Sequence, residues 1–242
     1  MSNYRHMSAF KIIGLIWVLG LSMNADAGLL GSSKSWKEEV LLHDGQKMVV
    51  ERHFNFGGYP TIESRERQAL DETVTFTLPG SNKKITWKTD FNDFAPEPNN
   101  LNLLILDVVN GIPYIATYPA GCIAYNKWKR PDPPYIFFEY AGNDWKRISL
   151  KEFPIVLNQT NVIVGHPPNE LLKPFYTVDG VKERNQDLGV EFKSIHRKPM
   201  ASEITTCPVL VPIKGGGWGT PGGFKSIKSI IIPPRPSGEN KN

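Results

Sequence analysis

Between Trp36 and Phe54 the apolar residues Trp36, Val40, Leu42, Met48, Val50 and Phe54 fall on even positions, while Lys37, Glu39, Lys47 and Glu51 fall on odd ones. A period of two is that of strands with one buried face, so this stretch predicts a hairpin. Parity also sets the loop. Keeping even residues opposite even ones needs an odd number of loop residues, and His43-Asp44-Gly45 supplies three, with Gly45 at the left-handed third position. Lys37 then faces Glu51 and Trp36 faces Arg52, whereas a two-residue Asp44-Gly45 turn would set Glu38 against Glu51. A second alternating pair follows, with Val74, Phe76 and Leu78 on one strand, Pro79-Gly80 in the turn, and Ile85 and Trp87 on the return. Phe91 to Asn100, with two prolines and three asparagines, reads as a loop.

Asn110-Gly111 gives the strongest turn signal, because both central residues of a two-residue hairpin need positive φ and these tolerate it. The strand before it carries Leu103-Leu104-Ile105-Leu106 without alternation, which implies cover on both faces. Pro113 falls opposite Val108 in a pair without hydrogen bonds, so its strand is an edge or bulged there. A fourth hairpin turns at Gly142-Asn143 and sets Glu139 against Lys146 and Tyr140 against Trp145. Ser149 and Glu152 form a capping-box pattern for a helical turn that Pro154 ends. Further on, Asn161 to Gly165 and Val190 to His196 are strand candidates, and Asn169 to Leu172 and Asp179 to Leu188 are short-helix candidates. From Lys214 to Phe224 there are six glycines in eleven residues, then Ile230 to Ile232 as a possible last strand, then prolines. No repeat of fixed period appears. These signals predict a mainly β fold, an antiparallel β-sandwich or partly open barrel of about eight to ten strands with a few short helices. It would occupy 28–213 as a single domain, followed by a Gly/Pro-rich C-terminal segment, 214–242.

The residues before this domain change the compartment. Arg5 and Lys11 precede an uncharged run from Ile12 to Met23, which ends on Ala25-Asp26-Ala27. Positive, apolar, then small-x-small is the order of a secretory signal peptide over 1–27. As a helix the run would reach only ~18 Å, short of a ~30 Å hydrocarbon core. The expected localisation is periplasmic or secreted, with no membrane span in the mature chain. The formal net charge of +4 is too weak an excess to indicate a nucleic-acid partner. In an oxidising compartment Cys122 and Cys207 are expected to form a disulfide, worth ~4 kcal/mol by the chain-entropy model. No closely spaced histidine accompanies them, so no metal site is expected, and nothing in the sequence calls for a cofactor.

Recognisable catalytic frames are missing: there is no Gly-x-Ser-x-Gly or His-Glu-x-x-His. His43 sits at a turn, His53 on a polar strand face and His166 before Pro167-Pro168, and with His196 each reads most simply as a solvated or turn residue. Asp90, Asp93 and Asp107 lie near apolar strands, where a raised pKa would be useful, but the sequence pairs them with nothing. The most distinctive stretch runs from Cys122 to Tyr135, where aromatic and basic residues alternate before a Pro-rich bend. On a stiff, disulfide-pinned loop, Tyr125, Lys127, Trp128, Lys129 and Arg130 would form a ligand-binding set for a sugar, an anionic glycan or a lipid head group. The alternative is a packed connection with Trp128 in the core and the charges in water.

This stretch also carries a resemblance. Trp36-Lys37-Glu38, the Cys122-x-x-Tyr125-Asn126-Lys127-Trp128 run and Pro133-Pro134-Tyr135 entering an aromatic strand resemble a group of exported proteins of Gram-negative bacteria with no assigned activity. The likeness spans Trp36 to about Phe153 and implies a bacterial envelope protein, without site residues. The leading expectation is therefore a non-catalytic binding module for an envelope protein, glycan or lipid partner. Its rivals are a periplasmic hydrolase assembled from scattered histidines and carboxylates, and a structural subunit with an exposed apolar patch near the C-terminus. A pocket collecting a histidine with a carboxylate would favour the hydrolase.

Overall fold

The computed structural model describes residues 32–57, 68–89, 101–214 and 217–222. The signal-peptide run, the 91–100 loop, Asp90, Asp93 and the Ile230–Ile232 run lie outside these residues. Two large sheets make the fold, beside a two-stranded ribbon of Val211–Pro212 and Trp218–Gly219. The first has the order β4-β3-β2-β1-β9, from β1 (Ser32–Leu41), β2 (Lys47–Gly57), β3 (Gln68–Thr77), β4 (Lys84–Lys88) and the two-residue β9 (Phe175–Tyr176). The second has the order β5-β6-β7-β8, from β5 (Leu101–Val109), β6 (Ile112–Pro119), β7 (Ile136–Ala141) and β8 (Asp144–Ile148). All pairings within the two sheets are antiparallel except that of β9, which runs parallel to β1. Neither sheet closes on itself. The two pack face to face as a sandwich, with Val40, Val50, Val74, Phe76, Ile85 and Trp87 from one meeting Leu103, Leu106, Ile115 and Phe138 from the other.

The hairpin registers follow the sequence pattern. Lys37 faces Glu51 at 2.9 Å between charged groups, Trp36 faces Arg52, and Gly45 has φ 87° in the three-residue loop. Asn110 and Gly111 both have positive φ, and the β7–β8 turn pairs Glu139 with Lys146 and Tyr140 with Trp145. Pro113 faces Val108, one residue before the pairing of β6 with β7 begins at Tyr114, so β6 is an edge at that point. The non-alternating run in β5 is explained by a bulge. Register shifts between Leu103 and Ile105, so Leu104 and Ile105 share the face opposite Leu103 and Leu106. That outer face is covered by the later chain, through Phe153, Leu157, Ile195 and Ile204.

Two strand expectations fail in this covering layer. Residues 161–165 are irregular although Val162 and Ile163 are buried, because side chains take the place of a neighbouring strand. Asn185 accepts from Val164 N–H and donates to the Val162 carbonyl, Glu38 accepts from Ile163 N–H, and Arg52 donates to the Ile163 carbonyl at 3.1 Å. Val190–Lys193 is one helical turn, α3, and only Ser194 keeps a bridge, to Gln159. The Tyr135 hydroxyl lies 3.0 Å and 3.2 Å from the carbonyl oxygens of Glu191 and Ser194, holding the turn closed. The expected short helices are present as a 3₁₀ turn, Asn169–Leu171, and α2 (Val178–Arg184), with Thr177 as its N-cap. Cys122 and Cys207 are disulfide-bonded, with Cα atoms 5.4 Å apart, and pin this layer to the end of β6. Among the described residues no helix is long and apolar enough to cross a membrane.

Candidate functional site

With the β5 bulge setting the parity, Asp107 lies between the inward-facing Leu106 and Val108 and points toward the covering layer. There it meets His43 at the tip of the β1–β2 hairpin, with His43 Nδ1 2.7 Å from Asp107 Oδ1. The backbone N–H of His43 donates to Oδ2 at 2.9 Å and that of Val108 to Oδ1 at 2.7 Å, so both carboxylate oxygens are occupied. Asp107 is buried, and burial pushes its carboxyl up from the ordinary value while the hydrogen bonds from His43 and Val108 pull it back. An ionised Asp107 accepting from Nδ1–H fixes that tautomer and leaves His43 Nε2 as the ring's other polar atom. The pair borders a cleft of about 650 Å³ between the sandwich and the covering layer. Leu42, Ile105, Leu157 and Val181 contribute apolar lining, and Gln159, Gln186, Lys182 and Lys193 contribute polar lining.

Asn161 and Asn185, which also line the cleft, shape it. Asn161 Nδ2 donates to the carbonyls of Leu41 and Leu106, and its Oδ1 accepts from Leu106 N–H, so it joins the hairpin end to β5. These amides are spent on backbone. Lys182, Lys193, Gln159 and Gln186 complete the polar lining from the covering layer.

A second polar constellation lies inside the first sheet. Arg52 is 1 % exposed and donates to Glu38 at 2.8 Å, to Glu72, and to the carbonyls of Ile163 and Gly165. Glu38 also accepts from the Trp36 indole at 2.8 Å, and the guanidinium carbon lies 5.2 Å from the Trp36 ring centre. Glu72 keeps one oxygen, Oε2, buried with no hydrogen-bond partner. Burial drives its carboxyl up to about 7 against the pull of Arg52, and the second carboxylate, Glu38, pushes it further in the same direction. This network fastens residues 163–165 onto the sheet. Sequence parity held the signal for it: Glu38 and Arg52 are even residues among the inward-facing even residues of β1 and β2, and Glu72 shares parity with Val74 and Phe76.

The basic-aromatic stretch takes a different form from the expected loop. Cys122–Lys127 is a short helix, α1, and Lys129 and Arg130 end it with positive φ values of 65° and 50°. Tyr125 is 4 % exposed within the core beneath α1. Its ring is covered by Arg130, whose guanidinium carbon lies 4.7 Å away, while Arg130 also donates to the Pro208 carbonyl. Trp128 packs edge-on against Phe138, and Arg147 lies over its ring at 5.3 Å. The stacking faces proposed for Tyr125 and Trp128 are thus occupied within the fold, and the packed connection is the arrangement adopted. Lys127 is half-buried and Lys129 is exposed.

The remaining histidines are dispersed. His53 pairs with Ser35 at 2.7 Å and with Asn55 on the outer face of the first sheet. His166 packs against Phe54 and Phe56 beside Lys34, and His196 lies 3.3 Å from the Val190 carbonyl. Among the described residues no group of three His, Cys, Asp or Glu side chains is placed to hold a metal ion. Sequence reasoning singled out His43 and Asp107 separately and missed their meeting, which crosses 64 residues. The odd position of Asp107 beside a non-alternating apolar run was the local hint. No protein-family model matches the chain, and no curated protein or solved structure matches it either.

Proposed function

We propose that this is an exported binding protein of the bacterial envelope, with its ligand site in the cleft beside His43 and Asp107. The observation that carries the reading is the cleft itself: about 650 Å³, apolar in its depth, with a few polar groups at its edge, the usual character of a small-ligand site. The disulfide and the lack of a membrane-crossing helix among the described residues are compatible with export. The test is binding of extracted envelope components to the purified mature chain, with and without Val156→Trp, which places a large ring on an exposed cleft residue. Loss of binding in this variant, with thermal stability kept, supports the reading. Unchanged binding, or loss only on Trp128→Ala with Lys129→Ala, returns the site to α1.

A specific observation supports hydrolysis as a second reading. Asp107 orients His43 as in a base–orienter pair, with Nε2 left to take a proton from water. The hydroxyl lining the cleft, that of Thr160, donates to the Phe192 carbonyl, so water would be the nucleophile. Release of p-nitrophenol from p-nitrophenyl esters, lost in His43→Ala, would establish this reading; equal rates in the two proteins would remove it. The structural-subunit reading rests on Val209, Val211 and Ile213, which are exposed along the segment leaving Cys207.

A further inference from the structure

We infer that the cleft takes an amphiphilic anion: one phosphate, sulfate or carboxylate group on an apolar body. This rests on the cleft being the ligand site and adds its chemistry. The charge pattern of the lining decides the class. Its carboxylate, Asp107, is buried and already accepts from three N–H groups of His43 and Val108, which offset part of its charge. Its cations are open to water. Lys193 is exposed, and Lys182 lies 3.7 Å from Asp179, a weak exposed contact within one helix turn that a better-placed anion displaces.

The polar atoms point the same way. The amides of Asn161 and Asn185 are committed to backbone and that of Gln186 reaches Asp187, which leaves the two lysine ammonium groups as the charged groups of the lining, beside the amides of Asn158 and Gln159. A neutral sugar leaves the two lysine charges unmatched, and a cation is repelled by them, so this lining favours neither. The apolar depth formed by Leu42, Ile105, Leu157 and Val181 then accommodates the ligand's body. Hydrophobic burial supplies affinity, and the basic edge sets orientation and sign.

Calorimetric titration of the mature protein with hexyl phosphate, hexyl glucoside and inorganic phosphate tests this. Hexyl phosphate is expected to bind best, and Lys182→Met with Lys193→Met to weaken it about five- to tenfold, the size expected for two partly exposed charge contacts. Hexyl glucoside binding should not change, and the loss should shrink at high salt. Equal affinity for the two hexyl probes, with no effect of the lysine changes, overturns the anion assignment but leaves the cleft as a site, provided that Val156→Trp abolishes both. Failure of every probe overturns the cleft reading as well. Sedimentation with phosphatidylglycerol but not phosphatidylcholine vesicles marks membrane lipid as the source of the anion. Hexyl phosphate binding without sedimentation marks a soluble amphiphile; either result supports the class.

Discussion

Replacing Glu72 by Gln should change how the stability of this protein depends on pH. In the folded state Glu72 shares a single guanidinium with Glu38, is fully enclosed, and leaves Oε2 unpaired. Its carboxyl is raised from 4.5 to about 7, so the folded protein holds a proton that the unfolded chain releases. The sign follows directly: between about pH 4.5 and 7 the folded state binds more protons, and stability falls as pH rises through that window. The full contribution is present below 4.5 and gone above 7. At about 1.4 kcal/mol per pH unit, the gap makes roughly 3 kcal/mol, a large fraction of the net stability of a domain. Asp107, also raised, adds in the same direction, while exposed Glu51, lowered by Lys37, opposes it at lower pH. Subtracting the Glu72→Gln curve from the wild-type curve cancels both. Urea denaturation from pH 4 to 8.5 should give a difference that is flat below 4.5 and shifts by a few kcal/mol in favour of the glutamine variant by pH 8. Parallel curves for the two proteins would show that Glu72 titrates normally and that the network is better solvated than its burial implies.

Other consequences concern the same packing. Arg52→Met leaves two enclosed carboxylates without their counter-charge and should cost about 3–5 kcal/mol in urea denaturation at neutral pH, with less loss in acid. Reduction of the Cys122–Cys207 bridge, or Cys122→Ser with Cys207→Ser, should cost roughly 4–5 kcal/mol for a closure spanning 85 residues, read as a drop in midpoint by calorimetry. Asp107→Ala strips the acceptor from three N–H groups and should cost about 1–3 kcal/mol. The ¹⁵N shifts of the His43 ring should report loss of the fixed Nδ1–H tautomer in the same variant; an unchanged tautomer would show that Asp107 does not set it.

Much of the sandwich was legible because parity and turn chemistry act locally. Six even-numbered apolar residues placed the β1–β2 hairpin in register, and Asn110-Gly111 fixed the β5–β6 turn. The unbroken Leu103–Leu106 run signalled cover on both faces, although the bulge that produces it was not foreseen. Failures cluster where side chains replace backbone partners. Residues 161–165 look like a strand because they are apolar, but their amides and carbonyls are satisfied by Glu38, Arg52 and Asn185 from distant positions. Helix α1 escaped notice because it ends on Lys129 and Arg130 in left-handed conformations, where a glycine would have announced a C-terminus. Its Tyr125 and Trp128 suggested display, yet Arg130 and Arg147 cover those rings. The cleft was invisible for a related reason: His43 and Asp107 each look ordinary alone, and only the bulged register of β5 aims the carboxylate at the hairpin tip.

The claim that the cleft is where a ligand binds is tested most directly by photocrosslinking in the native envelope, with benzoylphenylalanine placed at Gln159 in the cleft or at Lys129 beyond α1. A cleft ligand predicts an adduct from Gln159 that disappears when Val156→Trp is added, and none from Lys129. An adduct from Lys129 alone, unaffected by Val156→Trp, would contradict the account.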